Sequence, residues 1–305
     1  MNEEKVPILF CIFKRMEALD SFKPIRQYQP DRLYIAADGP RDHVKNEKED
    51  CQEVRQAILN LIDWPCEVKT LFRENNLGCS EAIYGGVSWF FEHEEYGVVN
   101  EDDVVISQDF FKMCELLLPY YKDEEKIMLI STRNHSGKYK ESDEYVFAYQ
   151  SNIWGWASWR RAWSYNDNTF KGWKEYPKLK VIKKFGILQG LDKIRCYNKC
   201  ANPNNVFFSW DYAWNCHILM KDGIVIDPKV NLSTNVGIGV AGSTNYSVND
   251  EDPYAELGVG RIKWPLKIKT NIDLDTWQLK ADRKDFYRKK VIGLKKIIRN
   301  RFNMR

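Results

Sequence analysis

The stretch YGVVNEDDVVISQDFF, Tyr96 to Phe111, places Glu101, Asp102 and Asp103 side by side between two apolar runs. Three adjacent like charges raise one another's pKa unless a cation or water compensates them. What surrounds the triplet shows where it lies. PILFCIFKR, Pro7 to Arg15, and DRLYIAADGPR, Asp31 to Arg41, are short apolar runs that end in charge, the pattern of buried parallel strands opening into loops. Between them MEALDSFKPIRQYQ has helical length, with an interruption expected at Pro24. EKEDCQEVRQAILNLID repeats its apolar residues at helical spacing, CEVKTLFRE reads as a third strand, and NNLGCSEAIYGGVSWFFEHE as a turn and a helix. The order is β-α-β-α, so YGVVNEDDVVIS becomes a fourth strand that breaks at its acids. Ligands of open α/β sheets gather at the carboxyl ends of strands, and the triplet falls there.

The acids suit two different roles. Hard divalent ions such as Mg2+ or Mn2+ take oxygen ligands, commonly one or two carboxylates plus substrate phosphates, which suits a metal-diphosphate site. An acidic turn ahead of a helix starting near Ser107, with Asp109 in its first turn, explains the same residues without a ligand.

Composition narrows the class. The 305 residues are 44% hydrophobic and 29% charged, enough for one large α/β domain or two modest ones, and 11 Trp residues supply flat faces for sugars or for a core. No apolar run nears the roughly 20 residues that cross a bilayer, and MNEEKVPILFCIF lacks a basic signal-like start, so a cytoplasmic protein is expected. The eight cysteines are scattered apart from Cys196 and Cys200, and read as free thiols. The formal charge of +3 is uneven. Ala281 to Arg305 carries ten Lys or Arg against two Asp, a net of +8, which leaves −5 on the rest. The basic charge is a tail, so nucleic acid is not an expected partner. Neither the four His nor GIGVAG, Gly237 to Gly242, forms a ligand set or a dinucleotide fingerprint.

Several ordered motifs together resemble a known family. The strand with EDD and SQDFF, FKR after the first strand, AADGPR after the second, IWGWASWRRAW (Ile153 to Trp163), SWDYAW (Ser209 to Trp214) and PKVNLSTNVGIGVAGSTN are similar to nucleotide-sugar glycosyltransferases of the GT-A fold. The likeness is to N-acetylglucosaminyltransferase I and to bacterial glycosyltransferase-like proteins formerly called haemolytic proteins. It spans roughly Pro7 to Asn245.

The resemblance implies a Rossmann-like α/β domain over residues 1–280, mostly parallel in its sheet, with the nucleotide-sugar part at about 1–130 and the acceptor part at about 131–280. It implies an inverting hexosyl- or N-acetylhexosaminyltransferase that uses Mn2+ or Mg2+ and a UDP-linked donor. The acceptor would be a glycan or lipid-linked hydroxyl in surface polysaccharide synthesis. By the same resemblance Asp103 ligates the metal, Glu101 and Asp102 contact the ribose or support the ligand, Arg15 and Asp38 hold the nucleotide, and Asp211 is the general base. Trp154 and Trp156 are candidates for the acceptor side, with a core role as the alternative. Asn245 stands where bacterial members often carry His. A carbohydrate-binding protein without activity is the competing class.

The tail, residues 281–305, reads as a basic helix with Tyr287, Val291, Leu294, Ile298 and Phe302 on one face. It suits the anionic inner surface of the cell membrane, or a helix docked on the domain.

Overall fold

In the computed structural model the chain is described over residues 5–134, 144–149, 153–202, 204, 210–238 and 262–272, and at 280, 283, 284, 286 and 287. Its first part alternates as expected: β1 (Ile8–Ile12), α1 (Ala18–Tyr28), β2 (Arg32–Ala37), α2 (Glu47–Asn60), β3 (Glu67–Phe72), α3 (Cys79–His93) and β4 (Tyr96–Glu101). These four strands are parallel in the order β3-β2-β1-β4. β1 is buried along its whole length because its two faces serve two cores. Ile8, Phe10 and Ile12 pack with Phe22 and Ile25 of α1, whereas Leu9 and Cys11 pack with Val87 and Phe90 of α3.

The helix α1 runs through Pro24 without ending there, contrary to the expectation from sequence. Its buried side chains Ala18, Ser21, Phe22, Ile25 and Tyr28 form one stripe against the sheet. That packing outweighs the roughly 3 kcal/mol that an interior proline costs a helix. Gln108 also donates from Nε2 to the Pro24 carbonyl at 2.9 Å.

Beyond β4 the chain turns through the acids into β5 (Val104–Ile106), then α4 (Gln108–Tyr120), β6 (Ile127–Ser131), β7 (Tyr145–Ala148), β8 (Trp156–Trp159) and α5 (Arg160–Trp163). Three helices follow, α6 (Lys178–Phe185), α7 (Ile187–Cys200) and α8 (Trp210–Met220), and then β9 (Ile224–Pro228) and β10 (Ser233–Asn235). The sheet continues from β4 as β8-β6-β9-β7, to eight strands in all among the described residues. β8 is antiparallel to both β4 and β6, so the parts expected on either side of residue 130 share one sheet. β10 pairs antiparallel with β5 outside that sheet. The architecture is a mixed α/β fold with a partly parallel central sheet. No described helix is long and apolar enough to cross a membrane. Asn245 and most of the basic tail lie outside the described residues.

Many of the Trp residues belong to the core. Trp156 is fully buried, with ring centroids 5.7 Å from both Trp163 and Trp210 and 6.3 Å from Trp214. This cluster locks α8 onto β8 and α5.

The tightest position in the sheet is Gly97 of β4. A Cβ there would lie 2.4 Å from Phe90 Cζ and 2.7 Å from the Pro7 carbonyl oxygen, so α3 can approach the sheet only over a bare backbone. Gly97→Ala is expected to lower stability by about 1–3 kcal/mol through overpacking, seen as a lower urea midpoint with an unchanged m-value. An unchanged midpoint would show that Phe90 moves aside without cost.

Candidate functional site

The acids lie where β4 ends and β5 departs. They do not cap α4: Ser107 precedes that helix without a side-chain cap bond, and Asp102 and Asp103 form a separate turn upstream of β5. Asp102 is buried, at 5% exposure. Its Oδ2 accepts the Phe13 N–H at 3.1 Å, its Oδ1 faces Arg15 Nη2 at 3.1 Å, and its carbonyl accepts from Ser21 Oγ at 3.0 Å. Arg15 Nη1 also reaches Asp103 Oδ2 at 3.3 Å. One guanidinium therefore bridges two of the three carboxylates.

Parallel pairing explains this meeting. Cys11 of β1 is in register with Glu101 of β4, so the loops that leave the two strands emerge side by side. β10 closes the third side, with the Val236 N–H donating to the Asp103 carbonyl at 2.8 Å. Gly237 passes close by, since a Cβ there would fall 2.9 Å from Asp103 Oδ2 and 3.1 Å from Arg15 Nη1.

The charges are not balanced. Burial, then the charges of Asp103, Asp102 and Asp211, lifts the Glu101 carboxyl well above its usual range. Burial likewise pushes Asp102 up to about 6 even though Arg15 acts in the opposite direction. Asp211 stands in the first turn of α8, flanked by buried Trp210 and by Tyr212, which is 40% exposed. It comes from a distant part of the chain, yet its charge is felt at Glu101. The fold thus gathers Arg15, Asp102 and Asp103 beside Glu101, and brings Asp211 near enough for its charge to raise the Glu101 carboxyl.

Asp38 has a different setting. Its Oδ1 accepts the N–H groups of Gly39 at 2.9 Å and Leu77 at 3.0 Å. Its Oδ2 accepts from Asn76 Nδ2 at 2.9 Å and the Gly78 N–H at 3.1 Å. A carboxylate has about four acceptor positions, so Asp38 is filled by three donors of the NNLG turn and by the Gly39 N–H, and shapes that wall; a nucleotide base would have to share an oxygen with them. Gly39 is packed onto the same turn, where a Cβ would meet the Asn75 backbone at 2.3 Å. Trp156 is enclosed in the indole cluster, out of reach of an acceptor, so of its two readings the core role holds. Trp154 is half-buried beneath the Arg133 guanidinium, 4.7 Å from its ring centroid. Between them Gly155, at φ +75°, brings the backbone against Ile106 of β5.

Glu47 escapes a reading from sequence, because an acid in the first turn of a helix looks like a solvated dipole partner. Its carboxylate is fully buried and accepts from Lys14 Nζ at 2.6 Å, from the Arg41 N–H at 2.7 Å and from the Arg41 guanidinium. It therefore ties the loop after β1 to the loop after β2. Arg41, Lys14 and the Arg41 backbone hold its pKa down at about 2.

Among the described residues no three His, Cys, Asp or Glu side chains are grouped as a metal-ligand set. The donor set still fits a hard divalent ion that takes one carboxylate from the protein and its remaining oxygens from phosphates and water. Negative charge here exceeds what Arg15 compensates, and Asp103 is its more exposed member, with 23% side-chain exposure against 7% for Asp102.

The chain matches no protein-family model and no curated protein. Among solved structures it is similar to HddC from Yersinia pseudotuberculosis at 11% identity and a TM-score of 0.27, over 41% of this chain and 57% of that one. A likeness of that size carries no argument about fold or activity. Fold and site together define a mixed α/β protein with an acidic cluster at the carboxyl end of its fourth strand.

Two outcomes follow from this geometry. Glu47→Gln is expected to cost about 1–2 kcal/mol at neutral pH, a figure reduced because Lys14 and Arg41 are partly solvated. Since the folded-state pKa of about 2 lies below the usual 4.5, the contribution is complete above about 4.5 and fades as pH falls toward 2. Urea titrations should show the gap between wild type and variant shrinking at pH 3. Carboxyl-carbon NMR should find Asp102 titrating near 6, and higher still in Arg15→Met; a fall in that variant would show that Arg15 does not stabilise the charged form.

Proposed function

We propose that the chain is an inverting, metal-dependent glycosyltransferase of the GT-A type. It would move a hexosyl or N-acetylhexosaminyl group from a UDP-linked donor to a glycan or lipid-linked acceptor hydroxyl, in surface polysaccharide synthesis on the inner face of the cell membrane. The observation that carries the reading is the convergence of an under-compensated acid cluster at the end of β4 with one further carboxylate, Asp211, delivered by α8. Group transfer between a diphosphate and a hydroxyl requires two separate capacities, one for the anionic leaving group and one for the proton.

Asp103 is the residue to hold Mn2+ or Mg2+, and the bound ion supplies charge neutralisation for the departing diphosphate. Asp102 keeps the turn in place through the Phe13 amide and Ser21, while Glu101 supports it from within the sheet end. Arg15, half-exposed between the acids, is placed to share its guanidinium with a phosphate. Asp38 sets the loop that borders the nucleotide. Asp211 takes the proton of the acceptor hydroxyl. The acceptor oxygen then bonds to the anomeric carbon as the bond from that carbon to the diphosphate oxygen breaks on the opposite face. Trp154 is the acceptor-side aromatic that keeps a partly open face. The basic tail adds attraction to an anionic membrane.

Asp211→Asn is expected to keep donor affinity within a few-fold yet lose roughly 100-fold or more in turnover, the scale of general-base catalysis. Asp103→Ala should abolish the Mn2+-dependent part of UDP binding in calorimetry while the thermal transition persists. Unchanged UDP affinity with Mn2+ in that variant removes the metal assignment. No donor turnover by the wild-type chain with any nucleotide sugar, alongside intact sugar binding, favours the carbohydrate-binding class.

A further inference from the structure

Five Leu or Ile side chains are exposed among the described residues, and four of them share one helical hairpin. Leu179, 62% exposed, lies on α6, and Ile187, Leu188 and Leu191, at 65%, 52% and 48%, open α7. Positions 187, 188 and 191 stand at i, i+1 and i+4, on one face of the helix. Arg195, Asn198 and Lys199 continue that exposed face toward the C-terminus of α7. The inward faces are occupied, with Val181 and Phe185 of α6 and Tyr197 of α7 packed beside Trp173 and Phe170. The exposed apolar side chains are therefore surplus to the core.

The hairpin is closely built. The two helices are joined at Gly186, φ +80°, and a Cβ on Gly190 would lie 2.8 Å from the Ile182 Cα, so the backbones cross in contact. Its charge is predominantly positive. Residues 171–200 hold nine Lys or Arg against two acids, a net of +7, and Lys180 and Lys183 stand exposed beside Leu179. Asp222 answers part of this through Lys184 at 2.8 Å and Lys180 at 3.5 Å. The beginning of the basic C-terminal segment is seated on the same turn, where Arg283 Nη2 donates to the Lys184 carbonyl at 2.7 Å. Tyr287, 43% exposed, follows it.

We infer that the α6–α7 hairpin is a docking surface for an anionic phospholipid bilayer. Leu179, Ile187, Leu188 and Leu191 enter the headgroup boundary, and Lys180, Lys183, Arg195 and Lys199 face the lipid phosphates. Aliphatic side chains inside a cationic rim complement such a surface in both polarity and charge. A second copy of the chain would set one cationic rim against another. Single-stranded nucleic acid is read by exposed aromatic platforms, whereas this face presents aliphatic ones. Because α7 packs against α8, the docked hairpin lies next to the helix that carries Asp211. Docking itself does not depend on the glycosyl-transfer reading, and the test below involves no turnover.

The experiment is co-sedimentation of the full chain with vesicles of phosphatidylglycerol and phosphatidylcholine in equal parts, and with phosphatidylcholine alone. The wild type is expected to bind the anionic vesicles and to release at high salt. The triple variant Ile187→Ser, Leu188→Ser, Leu191→Ser should bind about tenfold or more weakly with an unchanged thermal transition, since those side chains lie outside the core. Lys180→Gln, Lys183→Gln, Arg195→Gln leaves the apolar face intact and should weaken binding while flattening its salt dependence, which keeps the test decisive if the serine variant folds poorly. Vesicle binding by both variants equal to wild type assigns attachment to the tail and overturns the proposal. So does the absence of wild-type binding, or a wild-type dimer that the serine variant dissolves, which would make this face an interface between copies.

Discussion

The bridge from Arg15 to Asp102 and Asp103 is the contact on which the arrangement of the site depends. Adjacent carboxylates at a buried strand end repel one another and lose hydration, and both effects raise the pKa values of Glu101 and Asp102. One guanidinium, delivered from the loop after β1 by parallel pairing with β4, makes the cluster tolerable without neutralising it. In the proposed function, that remaining negative charge is what a divalent cation would answer.

That chemistry is useful only because distant segments are held rigidly beside it. Glu47 fastens the loops that follow β1 and β2 through Lys14 and Arg41, and Asp38 organises the turn ahead of α3 through three donors. The indole cluster of Trp156, Trp163, Trp210 and Trp214 seats α8 on the sheet, so the orientation of Asp211 follows from core packing. Buried Trp210, Ala213 and Trp214 leave the backbone around Asp211 little freedom, while Tyr212 is exposed. Packing thus stands behind each candidate functional group.

The same helices link the acidic site to the molecular surface. α8 carries Asp211 on one side and meets α7 on another, and α7 presents its outer face as an apolar strip among lysines. Nothing in the core explains the Leu and Ile residues of that strip, because Val181, Phe185 and Tyr197 already fill the inward positions. Their placement is a property of the surface.

Much of the architecture is legible in the amino-acid sequence because local rules govern it. Apolar runs ending in charge mark β1, β2 and β4, helical spacing marks α2 and α3, and the break of the fourth strand at Glu101 follows from three charges that a sheet interior cannot hold. The acids and Arg15 are visible on the same grounds, since residues at the carboxyl ends of parallel strands converge. Tertiary structure alone decides the rest. Pro24 stays inside a helix because packing outweighs a local penalty, and Trp156 joins the core because three other indoles enclose it. Asp38 takes three of its four donors from a turn 38 to 40 residues away, and Glu47 is buried by partners from two loops. Charge and spacing along a chain specify which groups exist, but hydrogen-bond saturation and burial depend on what the fold brings alongside them.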